Sequence, residues 1–165
     1  MAQSPPRSVL ITGASDGGIG AALAHEFHKH NLLVFACVRD PQKAIQLSKL
    51  PNTHILTRDV TSSASIAAAA KAVRDINQRR GIDILVNNSG VVFTMPLVDT
   101  SFEEGKKLFD VNFWGALAVI KGFTAQLVEG RGMVVHVSSV GSLVKSPTPL
   151  LGHPLFWATL KNTQL

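Results

Sequence analysis

The chain has 165 residues, of which 45% are hydrophobic and 16% are charged, and its formal net charge is +5 at pH 7. This length and apolar content suffice for one core, so we expect a single domain over residues 1–165, with its core at 8–144 and an atypical tail over 145–165. The basic residues are scattered along the chain, which argues against a nucleic-acid partner.

The N-terminal residues 1–7 form a short polar lead without the apolar core of a signal peptide. Apolar runs such as 32–38 are too short to span a bilayer, so we expect no integral membrane segment. The single cysteine, Cys37, excludes an internal disulfide and lies inside a predicted strand, where we expect it to pack. These features together predict a cytoplasmic protein.

The first predicted element is an apolar strand over 8–12, followed by a glycine-rich turn and a helix that begins near Gly18. Glycines let the backbone turn tightly and approach a pyrophosphate, while the helix N-terminus directs N–H groups and a positive dipole end at that charge. The pattern therefore predicts a nucleotide site whose residues in this turn are Gly13, Ser15, Asp16, Gly18, Ile19 and Gly20.

Four further strands are predicted, with helical segments between them, at 32–38, 53–58, 82–86 and 132–138. The alanine-rich segment 64–73 has helical spacing and is predicted to be a crossover helix capped by Thr61 or Ser62. This alternation predicts an α/β fold with a doubly wound parallel sheet, Rossmann-like, in the strand order 3-2-1-4-5. Its ligand crevice is expected at the carboxyl end of strand 1.

The residues after the second strand bear on which dinucleotide fits. An acid at position 38 would accept a ribose 2′-hydroxyl and repel a 2′-phosphate, whereas Val38 does neither and Arg39 offers donors to a phosphate. We therefore favour NADP(H) over NAD(H), with Arg39 as a cofactor-binding residue. The alternative is that Arg39 is a solvated loop charge and that Asp40 caps a helix after Pro41.

The turn over 12–20 resembles the Thr-Gly-x-x-x-Gly-Ile-Gly motif of the short-chain dehydrogenase/reductase family, with one additional residue. This longer form is most similar to the fungal branch that includes the NADPH-dependent 1-acyldihydroxyacetone phosphate reductases. The family's motifs follow in order over about 8–144. The resemblance implies hydride transfer between NADPH and a carbonyl of a small-molecule substrate, and 1-acyl dihydroxyacetone phosphate is one candidate.

The resemblance also assigns roles to residues after strands 3 and 4. Asp59 would bond the adenine amino group and the backbone N–H of Val60 would meet the ring, although Asp59 could equally cap the following helix. The Asn-Asn-Ser-Gly segment at 87–90 resembles the family's Asn-Asn-Ala-Gly, which passes under the adenosine ribose. Its predicted cofactor-binding residues are Asn87, Asn88 and Gly90.

In the family, a helical asparagine, a serine, a tyrosine and a lysine form the catalytic relay. Asn112 matches the asparagine that positions a water, and Ser139 matches the serine that hydrogen-bonds the substrate carbonyl. The chain contains no tyrosine. Trp157 and Lys161 have the spacing of the family's Tyr-x-x-x-Lys motif but lie farther from Ser139 than in the family. We interpret this match as accidental; in the alternative, Trp157 occupies the tyrosine position, where its indole N–H does not titrate in a useful range, and Lys161 is the catalytic candidate.

Two readings of the function follow. The first is an NADP(H)-dependent oxidoreductase that reduces a carbonyl; the alternative is a non-catalytic NADP(H)-binding fragment or pseudoenzyme, because the tyrosine is missing. Relative to the family the chain is expected to be truncated at its C-terminal edge, which leaves homo-oligomerisation open. No metal is expected, since the His-rich segment 25–30 lacks the His-Glu-x-x-His spacing. The fungal branch also implies association with the endoplasmic reticulum or lipid droplets as a second location.

Overall fold

Five parallel strands form one sheet, in the order β3-β2-β1-β4-β5, in the computed structural model, which describes residues 5–92 and 99–139. The predicted doubly wound sheet and its strand order are confirmed. The strands are β1 (Ser8–Thr12), β2 (Leu33–Val38), β3 (Thr53–Thr57), β4 (Ile84–Asn87) and β5 (Met133–His136).

The predicted fourth strand starts two residues too early. The backbone N–H of Ile82 donates to Gln126 O at 2.8 Å instead of to a neighbouring strand. Asp83 turns its carboxylate toward Ser8, whose N–H donates to Asp83 Oδ2 at 2.7 Å. Ladder pairing with β1 therefore begins only at Ile84, which pairs with Val9.

Helices connect the strands and cover both faces of the sheet. The predicted crossover helix begins after Ser62, whose hydroxyl accepts a hydrogen bond from Ser65 N at 3.2 Å, so Ser62 rather than Thr61 is its cap. The helices are α1 (Ile19–Lys29), a 3-10 turn (Pro41–Lys43), α2 (Ile45–Ser48), α3 (Ser63–Ile76), α4 (Phe102–Phe109), a π-helical segment (Asp110–Gly115) and α5 (Ala116–Gly130).

Alternate residues of the strands feed two apolar clusters, one on each face of the sheet. Leu10 and Phe35 point toward α3 and α5, where they meet Phe123, whereas Val9 and Ile11 point toward α1 and α2. The two faces explain why β1 and β2 are buried along their whole length. Cys37 is 1% exposed in the first cluster, as predicted.

The continuous helical segment Phe102–Gly130 is long and apolar enough, by length and composition, to cross a membrane, and 33% of its most apolar window is buried. A core helix of a water-soluble protein passes the same test, so one such segment is weak evidence. In this fold α5 packs against α3 and β4. Helix α5 approaches α3 closely at Gly122, where a Cβ would collide with the side chain of Ile66.

His136, at the end of β5, predicts a pH-dependent contribution to stability. Burial lowers the pKa of His136, so the folded state favours the neutral ring. As the pH falls below the unfolded-state value near 6.5, the unfolded chain binds a proton that the folded chain resists, and stability is lost. We expect His136→Gln to flatten the fall in thermal midpoint between about pH 8 and pH 5.5. If the thermal midpoint of His136→Gln fell with pH as steeply as that of the unaltered chain, His136 would not be the cause of the loss of stability.

Candidate nucleotide site

A cleft of about 320 Å³ opens at the carboxyl ends of β1, β2, β3 and β4, where the topology predicts the ligand crevice. Both polar and apolar groups from five segments of the chain line it. The lining residues are Gly13, Ser15, Ile19, Cys37, Val38, Arg39, Arg58, Asp59, Val60, Asn88, Ser89, Gly90, Val91 and Val111.

The glycine-rich turn has the shape that close approach of a phosphate requires. Gly13 has a φ of +69°, in the left-handed region that side chains disfavour. A Cβ on Gly20 would collide with Gly13 O and would lie 2.9 Å from Gly13 C, so the start of α1 packs directly on the turn. Ile19, the first residue of α1, lines the cleft, which brings the positive end of the helix dipole to it.

Thr12 and Asn88 lock the turn to the end of β4. Thr12 Oγ1 accepts hydrogen bonds from the backbone N–H groups of Asn88 at 2.8 Å and Ser89 at 2.7 Å. In return, Asn88 Nδ2 donates to Thr12 O at 2.9 Å and to Gly13 O at 3.0 Å. These four bonds fix the turn before any ligand arrives, which reduces the ordering cost of binding.

The loop after β2 presents Arg39 to the cleft, while its neighbour performs a structural task. Asp40 Oδ1 accepts a hydrogen bond from Gln42 N at 3.0 Å, so Asp40 caps the 3-10 turn, as the alternative interpretation predicted. Arg39 nevertheless lines the cleft and is exposed, which leaves its guanidinium available to a ligand. The two interpretations of this loop are therefore compatible.

Asp16 faces away from the cleft and toward α2. Its Oδ2 accepts a hydrogen bond from Gln46 N at 3.2 Å, and its backbone N–H donates to Lys43 O. Asp16 thus ties the glycine turn to the loop that carries Arg39. A role of Asp16 in direct cofactor contact stays a prediction.

Asp59 lines the cleft and also closes the turn before α3. Its Oδ1 accepts hydrogen bonds from Thr61 N at 2.9 Å and from Thr61 Oγ1 at 2.7 Å. These two bonds lower the pKa of Asp59 because they favour the carboxylate. The capping role of Asp59 is compatible with its predicted contact with a ligand, since a carboxylate has further acceptor sites.

Three of the other predicted cofactor residues do not line the cleft. Gly18 donates its N–H to Ser15 O at 3.1 Å, and Gly20 is buried beneath the turn. The Asn87 side chain donates to Ala116 O at 3.1 Å and so fastens β4 to α5. Their structural roles are clear, and their contact with a cofactor stays a prediction.

Sequence reasoning missed Val91 and Val111, which contribute apolar surface to the cleft. Their positions carry a signal, because Val91 directly follows the Asn-Asn-Ser-Gly segment and Val111 directly precedes Asn112. It also missed Cys37 and Arg58 as lining residues. Arg58 directly follows β3, at a position where the alternation of side chains between the two faces of the sheet predicts an apolar residue. No sequence signal therefore identifies Arg58 as a residue of the cleft.

A family model described as short chain dehydrogenase matches residues 7–149. The chain belongs to the short-chain dehydrogenase family. The predicted family is therefore confirmed.

Fungal short-chain dehydrogenases are among the similar proteins. A short-chain dehydrogenase/reductase of Pestalotiopsis microspora is 44% identical over 131 residues, which are 79% of this chain and 46% of that protein. The NADPH-dependent 1-acyldihydroxyacetone phosphate reductase of Schizosaccharomyces pombe is 37% identical over 136 residues, 82% of this chain and 45% of that protein. The chain spans about half the length of the curated relatives it matches.

Solved structures of a carbonyl reductase and of a short-chain dehydrogenase share the fold. The NADPH-bound carbonyl reductase from chicken fatty liver superposes with a TM-score of 0.74 at 30% identity, over 83% of this chain and 61% of that one. A short-chain dehydrogenase from Streptomyces avermitilis gives a TM-score of 0.78 at 25% identity, over 87% of this chain and 53% of that one.

The family's catalytic positions are only partly within the described residues. Asn112 forms a reciprocal pair with Val91, since Asn112 Oδ1 accepts from Val91 N and Asn112 Nδ2 donates to Val91 O, both at 2.8 Å. Ser139 is exposed just beyond β5. Trp157 and Lys161 lie outside the described residues. Within 5–92 and 99–139, no group of three or more His, Cys, Asp or Glu side chains could hold a metal ion.

Proposed function

We propose that the protein is an NADP(H)-dependent oxidoreductase that reduces a carbonyl to an alcohol, with the dinucleotide in the cleft described above. The observation that carries the cofactor choice is the pairing of Val38 and Arg39 in the cleft wall. Val38 cannot repel a 2′-phosphate, and the Arg39 guanidinium can bind one through two parallel N–H donors.

The cleft offers groups for the pyrophosphate and for the adenine base of such a cofactor. The proposed pyrophosphate position is the glycine turn, whose tight form depends on Gly13 and Gly20, because a Cβ on either would press against Asn88 and the backbone of Ser89 or Gly13. Val60 and Val111 offer apolar surface for a base, while Asp59 offers an acceptor for an amino group. Ser15, Asn88 and Gly90 complete the proposed binding set.

For the reaction, the bound nicotinamide would supply the hydride to the carbonyl carbon, and the proton taken up by the carbonyl oxygen would come from water. We propose that Ser139 donates a hydrogen bond to the substrate carbonyl and that Asn112 positions a water, with Lys161 as a further member of the relay. The pairing with Val91 holds the Asn112 amide in one orientation. For the substrate we propose a lipid-derived ketone such as 1-acyl dihydroxyacetone phosphate, which is supported by similarity to the 1-acyldihydroxyacetone phosphate reductase of Schizosaccharomyces pombe.

A second candidate function is nucleotide binding without turnover. It is favoured by one observation, that the 165 residues include no tyrosine and so no phenol for proton transfer. The Trp157 indole N–H cannot replace it, because that group does not titrate in a useful range. Measured ketone reduction by the purified 165-residue chain would exclude this second candidate.

The proposal predicts a cofactor preference that depends on Arg39. We expect the purified chain to bind NADPH at least about 10-fold more tightly than NADH in calorimetric titrations, because one charge-assisted contact is worth about 1.5–3 kcal/mol. Arg39→Met should lower this preference about 10-fold and leave NADH binding unchanged. Lys121→Met, which removes an exposed positive charge outside the cleft, is the matched control. Absence of binding to either nucleotide would overturn the proposed function.

We also propose that residues 1–165 form one domain that works in the cytoplasm on a small-molecule substrate. The five strands share a single sheet with a core on each face, which supports one cooperative unit. A single calorimetric unfolding transition is the expected result, and two separate transitions would contradict it.

A further inference from the structure

Arg58 occupies an unusual place in the cleft wall. It directly follows β3, and its backbone N–H donates to Val38 O at 2.8 Å, so it lies beside the residues thought to select the cofactor. The residue is only 2% exposed, although it lines the cleft together with Cys37 and Val38. Arginine is almost never buried to this extent unless it is paired.

The guanidinium of Arg58 lacks the pairing that such burial normally demands. Among the described residues, 5–92 and 99–139, none hydrogen-bonds to its Nε, Nη1 or Nη2. Its Cζ lies 5.9 Å from the centroid of the Phe123 ring, a cation–π contact that compensates only part of the lost hydration. The neighbouring Asp59 carboxylate is bonded to Thr61 instead. Within the part of the chain that the structure describes, no carboxylate is hydrogen-bonded to the positive charge of Arg58.

The charge persists under physiological conditions. Burial lowers the pKa of Arg58, but a guanidinium stays protonated at neutral pH because its ordinary value is so high. A charge in a poorly solvated place acts on a nearby anion with less screening than one in water. Arg58 thus contributes a positive potential to the β2–β3 end of the cleft.

We propose that Arg58 is a second, buried positive charge in the cleft. It acts with Arg39 to select an adenosine ligand that carries a phosphate on the 2′-oxygen of its ribose. This inference rests on the proposed function and adds a residue to its specificity. The 2′-phosphate is the appropriate anion, because the pyrophosphate belongs at the glycine turn after β1, whereas Arg58 follows β3 and bonds to the end of β2.

The test compares two probes that differ only in this phosphate, 2′,5′-ADP and 5′-AMP, in calorimetric titrations of the full chain. We expect Arg58→Met to weaken 2′,5′-ADP binding about 10-fold while 5′-AMP binding stays the same. Raising the salt from about 20 to about 300 mM should diminish the contribution of exposed Arg39 much more than that of buried Arg58. Arg58→Lys keeps the charge and should retain most of the preference.

The thermal midpoints and the ratio of the two affinities decide whether Arg58 contributes to selection of the 2′-phosphate. Arg58→Met should also raise the thermal midpoint of the ligand-free protein, because it removes an unpaired buried charge, and should reduce the further rise that 2′,5′-ADP produces. An unchanged ratio of the two affinities in Arg58→Met, or an equal loss for both probes, overturns the inference while the proposed function stands. If Arg58→Met does not fold, Arg58→Gln replaces it, and an unchanged ratio of the two affinities in folded Arg58→Gln overturns the inference. If the unaltered chain binds neither probe, the proposed function itself fails.

Discussion

Gly20→Ala is expected to destabilise the protein by about 3 kcal/mol and to weaken NADPH binding by 10-fold or more. The new methyl group would collide with Gly13 O and lie 2.5 Å from Asn88 Nδ2, and neither neighbour is the free end of a flexible side chain. Alanine's helix propensity returns at most about 1 kcal/mol, so the collision dominates. Denaturant unfolding and calorimetric titration would measure the two effects.

Gly18→Ala is the matched control for this substitution. Gly18 has a φ of −93°, which any residue adopts, and a Cβ there would lie 3.2 Å from Ser15 O, a contact that a small shift relieves. We expect a loss of about 1 kcal/mol, mainly because alanine is a poor N-cap. Equal stability losses for the two alanine variants would show that the packing of α1 on the turn is not the cause.

The fold was predictable because local signals and topology agree. Strands with apolar, β-branched residues alternate with helical segments, and right-handed crossovers then leave the order 3-2-1-4-5 as the natural solution. The glycine turn was recognisable for the same reason, since Gly13 needs a positive φ and Gly20 lies against the backbone of Gly13. The strand boundary at Ile82 was missed because its partner, Gln126, is distant in sequence.

The candidate site was predictable only where function depends on a contiguous motif. Asp16 belongs to the glycine motif, yet its carboxylate bonds to α2, and no pattern in the turn reveals that partner. Arg58 illustrates the opposite case, in which a residue with no motif is placed in the cleft by the tertiary fold. Side-chain direction at the end of a strand depends on neighbouring elements, and these come from remote parts of the chain.

Thr12→Val is expected to remove about 2–6 kcal/mol of stability, although valine has nearly the same shape as threonine. Thr12 is 1% exposed, and its hydroxyl oxygen accepts hydrogen bonds from two backbone N–H groups, those of Asn88 and Ser89. Each N–H left without an acceptor costs about 1–3 kcal/mol, so the loss exceeds that of one ordinary hydrogen bond. Urea unfolding of the two proteins measures the difference.

Thr12→Ser separates the hydroxyl from the methyl group, because it keeps the acceptor and deletes only one carbon. We expect a loss of about 1 kcal/mol, from one buried methyl group. Thr57→Val controls for β-propensity at an exposed strand threonine and should change stability little. If Thr12→Val were as stable as Thr12→Ser, the lock between β1 and β4 would not depend on Oγ1. The expected result is that Thr12→Val is much less stable than Thr12→Ser. It would show that the Thr12 hydroxyl holds the end of β1 against the end of β4 before a nucleotide binds.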